Sequence, residues 1–337
     1  MKVGILRGEE ISFPEALIER INQKSAERKL GVAADFIKIE AVRMAEPCEE
    51  RLIIDRISHE VPFYRAFLKN AMLSGTEVIN NPFWWSADDK FFNYSIAHKI
   101  GVPIPKTVML PHQAHPPSTS SKSMRNLVYP IDWYNVFKYV GFPAFLKPHA
   151  GGGWKHVYKV NNEEEFFNSY HQTGTLCMVL QEGIEFTEYY RCYTVGRKEV
   201  HIMRYDPGKA FFAQYVPDNP PPTPEMKEKI IKYCLMINHA LGYDLNTCEF
   251  AVRDGIPYAI DFGNPAPDCD LKSVTPVNFE WVVDKMSEVA IERASQPRKM
   301  PAEFLWSKFF GAEEEAEAGA TASKKISGGG RRTAKGQ

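Results

Sequence analysis

A pair of carboxylates in one predicted hairpin is the strongest sign of chemistry in this sequence. The segment CEFAVRDGIPYAIDF, which begins at residue 248, reads as two apolar strands around a turn. Strand alternation places Asp261 on the same face as Ala259 and opposite Phe262. A three-residue loop with Gly255 in the left-handed conformation then sets Glu249 directly opposite Asp261.

Two facing carboxylates repel each other unless a cation lies between them. The hairpin itself offers no obvious cationic side chain on that face. Oxygen ligands that act together with phosphate suit Mg²⁺, which binds through few protein carboxylates and keeps several waters. Asn264 adds a neutral oxygen, so Glu249, Asp261 and Asn264 form a candidate metal site. The alternative is an acidic pair on a solvated face.

A glycine-rich turn follows a strand that ends in Lys147. The three glycines are Gly151, Gly152 and Gly153. Glycine lets backbone N–H groups approach phosphate oxygens closely because no Cβ is in the way. The turn is not a Walker A loop, since no Gly-Lys-Ser/Thr follows it. The alternative is a flexible hairpin turn.

Two further features lie on either side of this turn. Lys90 lies in a predicted helix that ends just before GVPIP, and VLQEGIEF is an apolar strand running into Gln181, Glu182 and Glu185. Such a strand end can offer backbone groups to an adenine edge and a carboxylate to ribose hydroxyls. The alternatives are a surface lysine and an ordinary strand end.

The elements that position these residues begin with a small, mostly parallel α/β unit. Its predicted strands are 2–6, 34–39 and the segment EVINNP, with one helix capped by Ser12 and another around 64–74. After Ala87 the pattern restarts. The further predicted helices are 88–101 with Asp88 near its start, 133–140, 162–170, 224–241 and 279–294, and the further predicted strands include 176–181 and two or three within 189–216.

Composition excludes several classes of protein. The net charge of −1 gives no field that attracts nucleic acid or an anionic membrane surface. No apolar run approaches the roughly 18 residues needed to span a bilayer, and the N-terminus reaches charge too early for a signal peptide. Six scattered cysteines without a Cys-x-x-Cys pair indicate reduced core thiols rather than zinc or disulfides. We therefore expect a cytoplasmic enzyme.

Taken in order, these features resemble the ATP-grasp superfamily, most closely from Lys90 to Asp268. The resemblance is carried by the helix lysine before GVPIP, Lys147-Pro before the glycines, the Gln-Glu pair, and the terminal acid with Asn-Pro. HEVPFYRAFL, VINNP, QEGI and YYRCYTVG are similar to the branch that contains the ribosomal-protein glutamate ligases and, more distantly, D-alanine:D-alanine ligase.

The resemblance implies an α/β (α+β) fold of ATP-grasp architecture, in which two α+β subdomains clasp ATP. The implied units are a pre-grasp α/β domain (1–86), a lid (87–185) and a C-terminal subdomain with the metal acids (186–310). Residues 311–337 lack apolar periodicity and are expected to form a disordered tail. The loop 112–130, rich in Pro and Ser, is expected to be exposed.

The resemblance also implies a role for each site residue. Lys90, Lys147 and the glycine turn hold phosphates; Gln181, Glu182, Gly183 and Ile184 form the adenine hinge; Glu185 or Glu188 faces the ribose. Arg191 and Arg204 are the catalytic candidates. Glu249, Asp261 and Asn264 hold one or two Mg²⁺, with Mn²⁺ as an alternative. The family has acid-x-Asn where this chain has two intervening residues, so a bulge at Gly263 is expected.

The implied activity is an ADP-forming carboxylate–amine ligase that acts through an acyl phosphate. Its partners are a small carboxylate and an amine, an amino acid or peptide, without nucleic acid or membrane; a homodimer is the candidate assembly. Two alternatives stay open. One is a small-molecule kinase that phosphorylates a hydroxyl, and the other is a nucleotide-binding regulatory protein.

Overall fold

Three four-stranded sheets form the framework of the computed structural model, which describes residues 1–84, 89–210, 213–215 and 220–298. The strands are β1 (Lys2–Leu6), β2 (Ala33–Phe36), β3 (Leu52–Asp55), β4 (Glu77–Ile79), β5 (Thr107–Leu110), β6 (Ala144–Pro148), β7 (Tyr158–Val160), β8 (Met178–Glu182), β9 (Glu188–Val195), β10 (Glu199–Arg204), β11 (Leu245–Arg253) and β12 (Ile256–Asp261). The helices are α1 (Ser12–Arg28), α2 (Pro62–Met72), α3 (Lys90–Lys99), α4 (Trp133–Val140), α5 (Glu163–His171), α6 (Pro224–Leu241), α7 (Leu271–Val274) and α8 (Pro276–Ser295). The predicted tail, and Asp88, lie outside the described residues.

The first sheet is parallel and has the strand order β2-β1-β3-β4. It contains β3, which the sequence analysis missed although Leu-Ile-Ile is a typical buried strand run. The predicted N-cap of α1 is wrong. The cap is Ile11 without a side-chain bond, and Ser12 Oγ instead donates to Asp270 Oδ2 at 2.9 Å.

The second sheet is antiparallel, in the order β5-β8-β6-β7, and packs against α4 and α5. Asp89 caps α3 by accepting a hydrogen bond from the Phe92 N–H, so Lys90 is the first residue of that helix. The segment 112–130 is largely exposed, as predicted, with one 3-10 turn at Ser121–Met124.

The third sheet is antiparallel, in the order β10-β9-β11-β12. Its two faces pack against α8 and α6 in separate apolar clusters. All six cysteines are free thiols, and five of them are buried, as expected for residues of the core. Helix α6 has the predicted bounds, and α8 is longer than predicted by a few residues at its start.

The first and third sheets share one apolar core through α1 and α8. Lys24 on α1 donates to Asp284 Oδ1 and Glu288 Oε1 of α8, both at 2.7 Å. Asn80 follows β4 and donates to the carbonyl oxygens of Leu245 and Pro265 at 2.7 and 2.8 Å. The first sheet is therefore fixed against the strands that carry the acids. No helix in the described part of the chain is long and apolar enough to cross a membrane.

Candidate active site

The β11–β12 turn contains two residues, not the predicted three. Arg253 pairs with Ile256, and the intervening Asp254 and Gly255 have φ angles of 53° and 71°. Two consecutive left-handed residues are typical of a type I′ turn, in which Asp-Gly is a favoured pair. The turn matches the twist of the two strands and sets the pairing of the residues next to it.

A bulge then brings the two acids together. From the turn the register runs regularly to Phe250 opposite Ala259, which would place Glu249 opposite Ile260. The register shifts between Glu249 and Phe250, so Glu249 lies opposite Asp261. The bulge expected at Gly263 is therefore at another position. The extra residue also reverses the alternation of side chains, so Phe262 packs in the same cluster as Ala259 and not opposite it.

Glu249 has a cationic neighbour, contrary to the sequence-based expectation. Arg191 on β9 places Nε 3.7 Å from Glu249 Oε1, and the Tyr189 hydroxyl donates to Oε2 at 2.7 Å. Burial raises the pKa of Glu249; Arg191 opposes this shift and Asp261 adds to it. The hairpin sequence could not indicate this cation because it comes from the neighbouring strand.

Asn264 is held with its amide nitrogen directed into the protein. Its backbone N–H donates to Asn246 Oδ1 at 3.2 Å, and its Nδ2 donates to the Thr247 hydroxyl at 3.1 Å. The side-chain oxygen, on the other side of the amide, is the acceptor that a hard cation needs. The described residues contain no cluster of three or more His, Cys, Asp or Glu suited to a metal. Glu249, Asp261 and the Asn264 side-chain oxygen are therefore the oxygen atoms at this place that could hold a hard cation.

Lys147 lies at the end of β6 among neutral hydrogen-bond partners. Its Nζ donates to the Tyr94 hydroxyl at 2.7 Å and to Gln181 Oε1 at 2.8 Å. Burial lowers the pKa of Lys147 to about 8, although the charges of Asp261 and Glu249 act in the opposite direction. An ammonium has three donors, so the third remains suited to a phosphate oxygen.

Lys90 and the glycine turn are brought together, as the resemblance implies. The Lys90 N–H donates to the His149 carbonyl at 3.2 Å, and its Nζ donates to the Gly151 carbonyl. Gly151 and Gly153 have φ angles of 84° and 70°, which favour glycine. The turn is open, and a Cβ at Gly152 would meet nothing within 4 Å.

The expected hinge is only partly available to a nucleotide. The Gln181 amide donates to the Thr107 hydroxyl at 2.9 Å and accepts from Lys147, so this side chain positions Lys147. The N–H groups of Glu182 and Gly183 donate to the carbonyls of Lys106 and Pro143, both at 2.8 Å.

The Glu182 side chain and Gly183 are also engaged in contacts within the protein. The Glu182 carboxylate accepts from Arg253 Nη1 at 2.8 Å and is therefore held in an ion pair. A Cβ at Gly183 would lie 2.7 Å from the Pro143 oxygen, so glycine is required there. Gln181, Glu182 and Gly183 thus use these groups within the protein, and Ile184 is a buried residue of the neighbouring apolar cluster.

Glu188 and Arg204, which the sequence analysis assigned to separate roles, form an ion pair. Arg204 Nη1 lies 2.8 Å from Glu188 Oε2, which also accepts from the Tyr190 hydroxyl. Both residues line a cavity of about 130 Å³ together with Tyr189, the two residues before β9 and the two residues after β10. Glu185, the other candidate for the ribose, is exposed.

Arg191 is surrounded by tyrosines that the sequence analysis did not single out. Its Nη1 donates to the Tyr215 hydroxyl at 3.1 Å, and its guanidinium lies 5.6 Å from the centre of the Tyr205 ring. Its buried Nε has no hydrogen-bond partner among the residues that the structure describes. The only sequence signal was the Glu-Tyr-Tyr-Arg run, because Tyr205 and Tyr215 reach Arg191 through the tertiary fold.

Comparison with protein-family models and with curated protein sequences gives no match. Solved structures do match. A RimK-domain ATP-grasp protein from Sphaerobacter thermophilus superposes with a TM-score of 0.61 at 14% identity, over 86% of this chain and 100% of that one. D-alanine–D-alanine ligase from Bacillus anthracis complexed with ATP gives 0.59 at 16% identity, over 87% and 96%. The ATP-grasp ligase PsnB complexed with minimal precursor, Mg and ADP gives 0.56 at 12% identity, over 88% and 98%. These matches confirm the α/β architecture that the sequence indicated: the chain has the ATP-grasp fold.

Proposed function

We propose that this protein is an ADP-forming ligase that joins a carboxylate to an amine. The observation that carries the proposal is the meeting of three elements: Glu249 on β11, Asp261 on β12 and Lys147 on β6. The Tyr94 hydroxyl links Lys147 to the strand of Asp261, because it accepts from Lys147 Nζ at 2.7 Å and donates to the Ile260 carbonyl at 3.0 Å. Two carboxylates and a lysine in one partly buried space suit a magnesium nucleotide.

The nucleotide contacts follow from the donors that the fold leaves available. Lys147 offers its third N–H to phosphate oxygens, and Lys90 with the glycine turn covers them from the other side. The backbone of Ile184 meets the adenine edge, and Glu185 or Glu188 meets the ribose.

The metal would be held by Glu249, Asp261 and the side-chain oxygen of Asn264. Mg²⁺, when bound there, would supply positive charge that neutralises the negative charge developing during phosphoryl transfer. Mn²⁺ offers the same coordination by oxygen ligands. The unpartnered Nε of Arg191, beside Glu249, supplies a further donor to the transferred group.

The proposed reaction has two steps. A carboxylate oxygen of the substrate forms a bond to the γ-phosphorus, and ADP leaves. The amine nitrogen then attacks the acyl carbon, loses its proton and expels phosphate, which leaves an amide. Arg191 and Arg204 act by neutralising charge and by positioning, which contribute most to phosphoryl transfer.

The fold comparisons support the same class of reaction. The neighbours include D-alanine–D-alanine ligase with ATP, and PsnB with a precursor, Mg and ADP. One of these names a small substrate and the other a precursor, so both amino acids and peptides belong among the test substrates.

The test is a screen for ADP release with MgATP and pairs of amino acids or short peptides, with products identified by mass spectrometry. An amide together with inorganic phosphate supports the ligase. A stable phosphate ester instead of phosphate shows a kinase, and nucleotide binding without turnover shows a regulatory protein. The Asp261→Asn variant serves as the control for contaminating ATPases, because its loss of ADP release assigns the activity to this site.

A further inference from the structure

A cavity of about 320 Å³ lies beside α2 and shares no residue with the candidate active site. It is lined by residues 37–42 and 46–50, which follow β2, and by Phe67, Asn70 and Ala71 of α2. We refer to this cavity as the α2 groove. Ligand pockets have volumes of about 300–1,000 Å³, so the α2 groove is large enough to accept bulky side chains.

Part of the lining of the α2 groove is apolar and incompletely covered. Ile37, Ile39 and Phe67 are partly buried and pack on the core cluster that contains Cys48 and Ala71. Burial of their remaining apolar surface is favourable because it removes that surface from water. An apolar occupant would therefore be stabilised in the groove.

The charged residues that line the α2 groove are mainly acidic. They are Lys38, Glu40, Glu46, Glu49 and Glu50. Two of the four glutamates pair with exposed basic residues, whereas Glu40 and Glu50 form no ion pair within the part of the chain that the structure describes. The groove therefore suits an occupant that carries positive charge beside its apolar side chains.

The described chain ends at the edge of this groove. Arg298, three residues after the end of α8, is the last described residue. Its Nη2 donates to the carbonyls of Cys48 and Glu50 at 2.9 and 3.2 Å, and its Nη1 donates to the Ser74 carbonyl at 3.0 Å. Because Cys48 and Glu50 line the α2 groove, the chain beyond Arg298 starts about one side-chain length from it.

The sequence that follows Arg298 has the composition that this groove favours. Residues 299–310 read KMPAEFLWSKFF, and five of the last seven are large and apolar. Two lysines and one glutamate give this stretch a net charge of +1. Phe304 follows Arg298 by six residues, which span at most about 20 Å. The glutamates at 313–315 begin an acidic stretch, which the acidic groove would repel.

We propose that the α2 groove is the docking site of this chain's own segment 304–310. The aromatic side chains of the segment cover Ile39 and Phe67, and Lys308 lies near Glu40 and Glu50. Docking fastens the end of the chain to the first sheet, next to the contact that Arg298 makes. The inference does not depend on the proposed ligase function.

The first measurement is carbodiimide coupling in an equal mixture of isotope-labelled and unlabelled full-length protein. This reagent joins a lysine amine directly to a carboxylate, with loss of water and without a spacer, so it reports only groups in contact. Mass spectrometry of the peptides shows whether Lys308 is joined to Glu40 or Glu50. The isotope pattern shows whether both residues belong to one chain or to two.

The second measurement is amide hydrogen exchange of residues 37–50. It compares the unsubstituted chain with the double variant Trp306→Ser and Phe309→Ser. The matched control is Val128→Ser with Tyr129→Ser, because these apolar side chains are 83% and 81% exposed and lie outside the α2 groove. Neither variant changes a residue assigned to the nucleotide or to the metal.

We expect coupling of Lys308 to Glu40 or Glu50 within one chain. Exchange of residues 37–50 should be at least about tenfold faster in the double variant of the segment and unchanged in the control. Absence of this coupling, or equal exchange in the unsubstituted chain and the segment variant, would overturn the inference. Coupling only between labelled and unlabelled chains would also overturn it, because a second copy would then occupy the groove.

Discussion

Glu249 lies directly opposite Asp261 across a bulge in the β11–β12 hairpin. Without the extra residue, Glu249 would lie opposite Ile260 and the two acids would not face each other. A bulge that re-aims one side chain is common beside active sites. Removal of either charge is thus the most direct test of the site.

Glu249→Gln should keep the fold and separate stability from activity. Burial raises the pKa of Glu249, so the folded protein disfavours the ionised carboxylate. At pH values above the pKa of the unfolded chain, this group therefore lowers the free energy of unfolding. The glutamine variant should therefore melt no lower than the parent without nucleotide. It should lose most of the MgATP-induced thermal shift, and ADP release should fall by about 100-fold or more.

The control for this experiment lies in the same hairpin. Asp254 occupies a left-handed turn position that asparagine also tolerates, so Asp254→Asn should change neither melting nor turnover. Asp261→Asn should behave like Glu249→Gln in nucleotide binding. Parent-like turnover by either acid variant would contradict the metal assignment.

Lys147 should make nucleotide affinity depend on pH. Its pKa of about 8 lies below the ordinary 10.5, so above about pH 8 the folded protein loses a charge that attracts phosphate. The Kd for MgATP should rise above that pH, by at most about tenfold per unit. The free energy of unfolding should increase between about pH 8 and 10.5, although the affinity for MgATP falls. In this range Lys147 binds a proton in the unfolded chain but not in the folded protein.

Lys147→Arg supplies the comparison, since a guanidinium stays charged throughout this range. The variant should bind MgATP with little pH dependence on either side of pH 8. If its profile matched that of the parent, the pH dependence would have another source and Lys147 would not contact the phosphates.

Gly152→Val should test whether the glycine turn folds over the nucleotide. In the open arrangement a Cβ at Gly152 meets nothing within 4 Å, so the melting temperature should not change. If the turn must approach phosphate oxygens closely, the valine should raise the KM for ATP and reduce turnover strongly. Trp154 in the same turn is 68% exposed, so its fluorescence should change on MgATP binding. Subtracting the signal of Trp154→Phe isolates that change, and unchanged kinetics in the valine variant would contradict closure.

Asn246 should position the segment from Phe262 to Asn264 without itself contacting the proposed metal. It is fully buried, donates to the Phe262 carbonyl at 2.8 Å and accepts from the Asn264 N–H at 3.2 Å. Asn246→Ala should lower stability by about 1–3 kcal/mol and, in addition, raise the Mg²⁺ concentration needed for half-maximal activity. Activity measured against Mg²⁺ at saturating ATP checks this.

Asn22→Ala is the matched control for that variant. Asn22 on α1 also uses both ends of its amide, because it donates to the Ala34 carbonyl at 3.0 Å and accepts from the Ala34 N–H at 2.8 Å, beside the first sheet and away from Asn264. This variant should lower stability and leave the Mg²⁺ dependence unchanged. If both variants raised the Mg²⁺ concentration needed for half-maximal activity equally, Asn246 would have a purely structural role.

The sequence by itself determined the features that depend on short-range patterns. Apolar periodicity predicted α4, α5 and α6 closely. The hairpin was predicted with Glu249 opposite Asp261, although from a three-residue loop and not from the two-residue turn and the bulge that produce this pairing. Lys147 before the glycine turn indicated a phosphate loop because both signals lie within a few consecutive residues. These features are local, so a single stretch of chain contains the information.

Only the tertiary structure decided which residues complete the site. Arg191 reaches Glu249 because β9 pairs with β11, and Gln181 supports Lys147 because β8 pairs with β6. Arg56 donates a hydrogen bond to the Pro267 carbonyl although 211 positions separate the two residues in the chain. Local sequence does not encode which strands become neighbours, because that choice depends on how whole faces bury their apolar surface against each other.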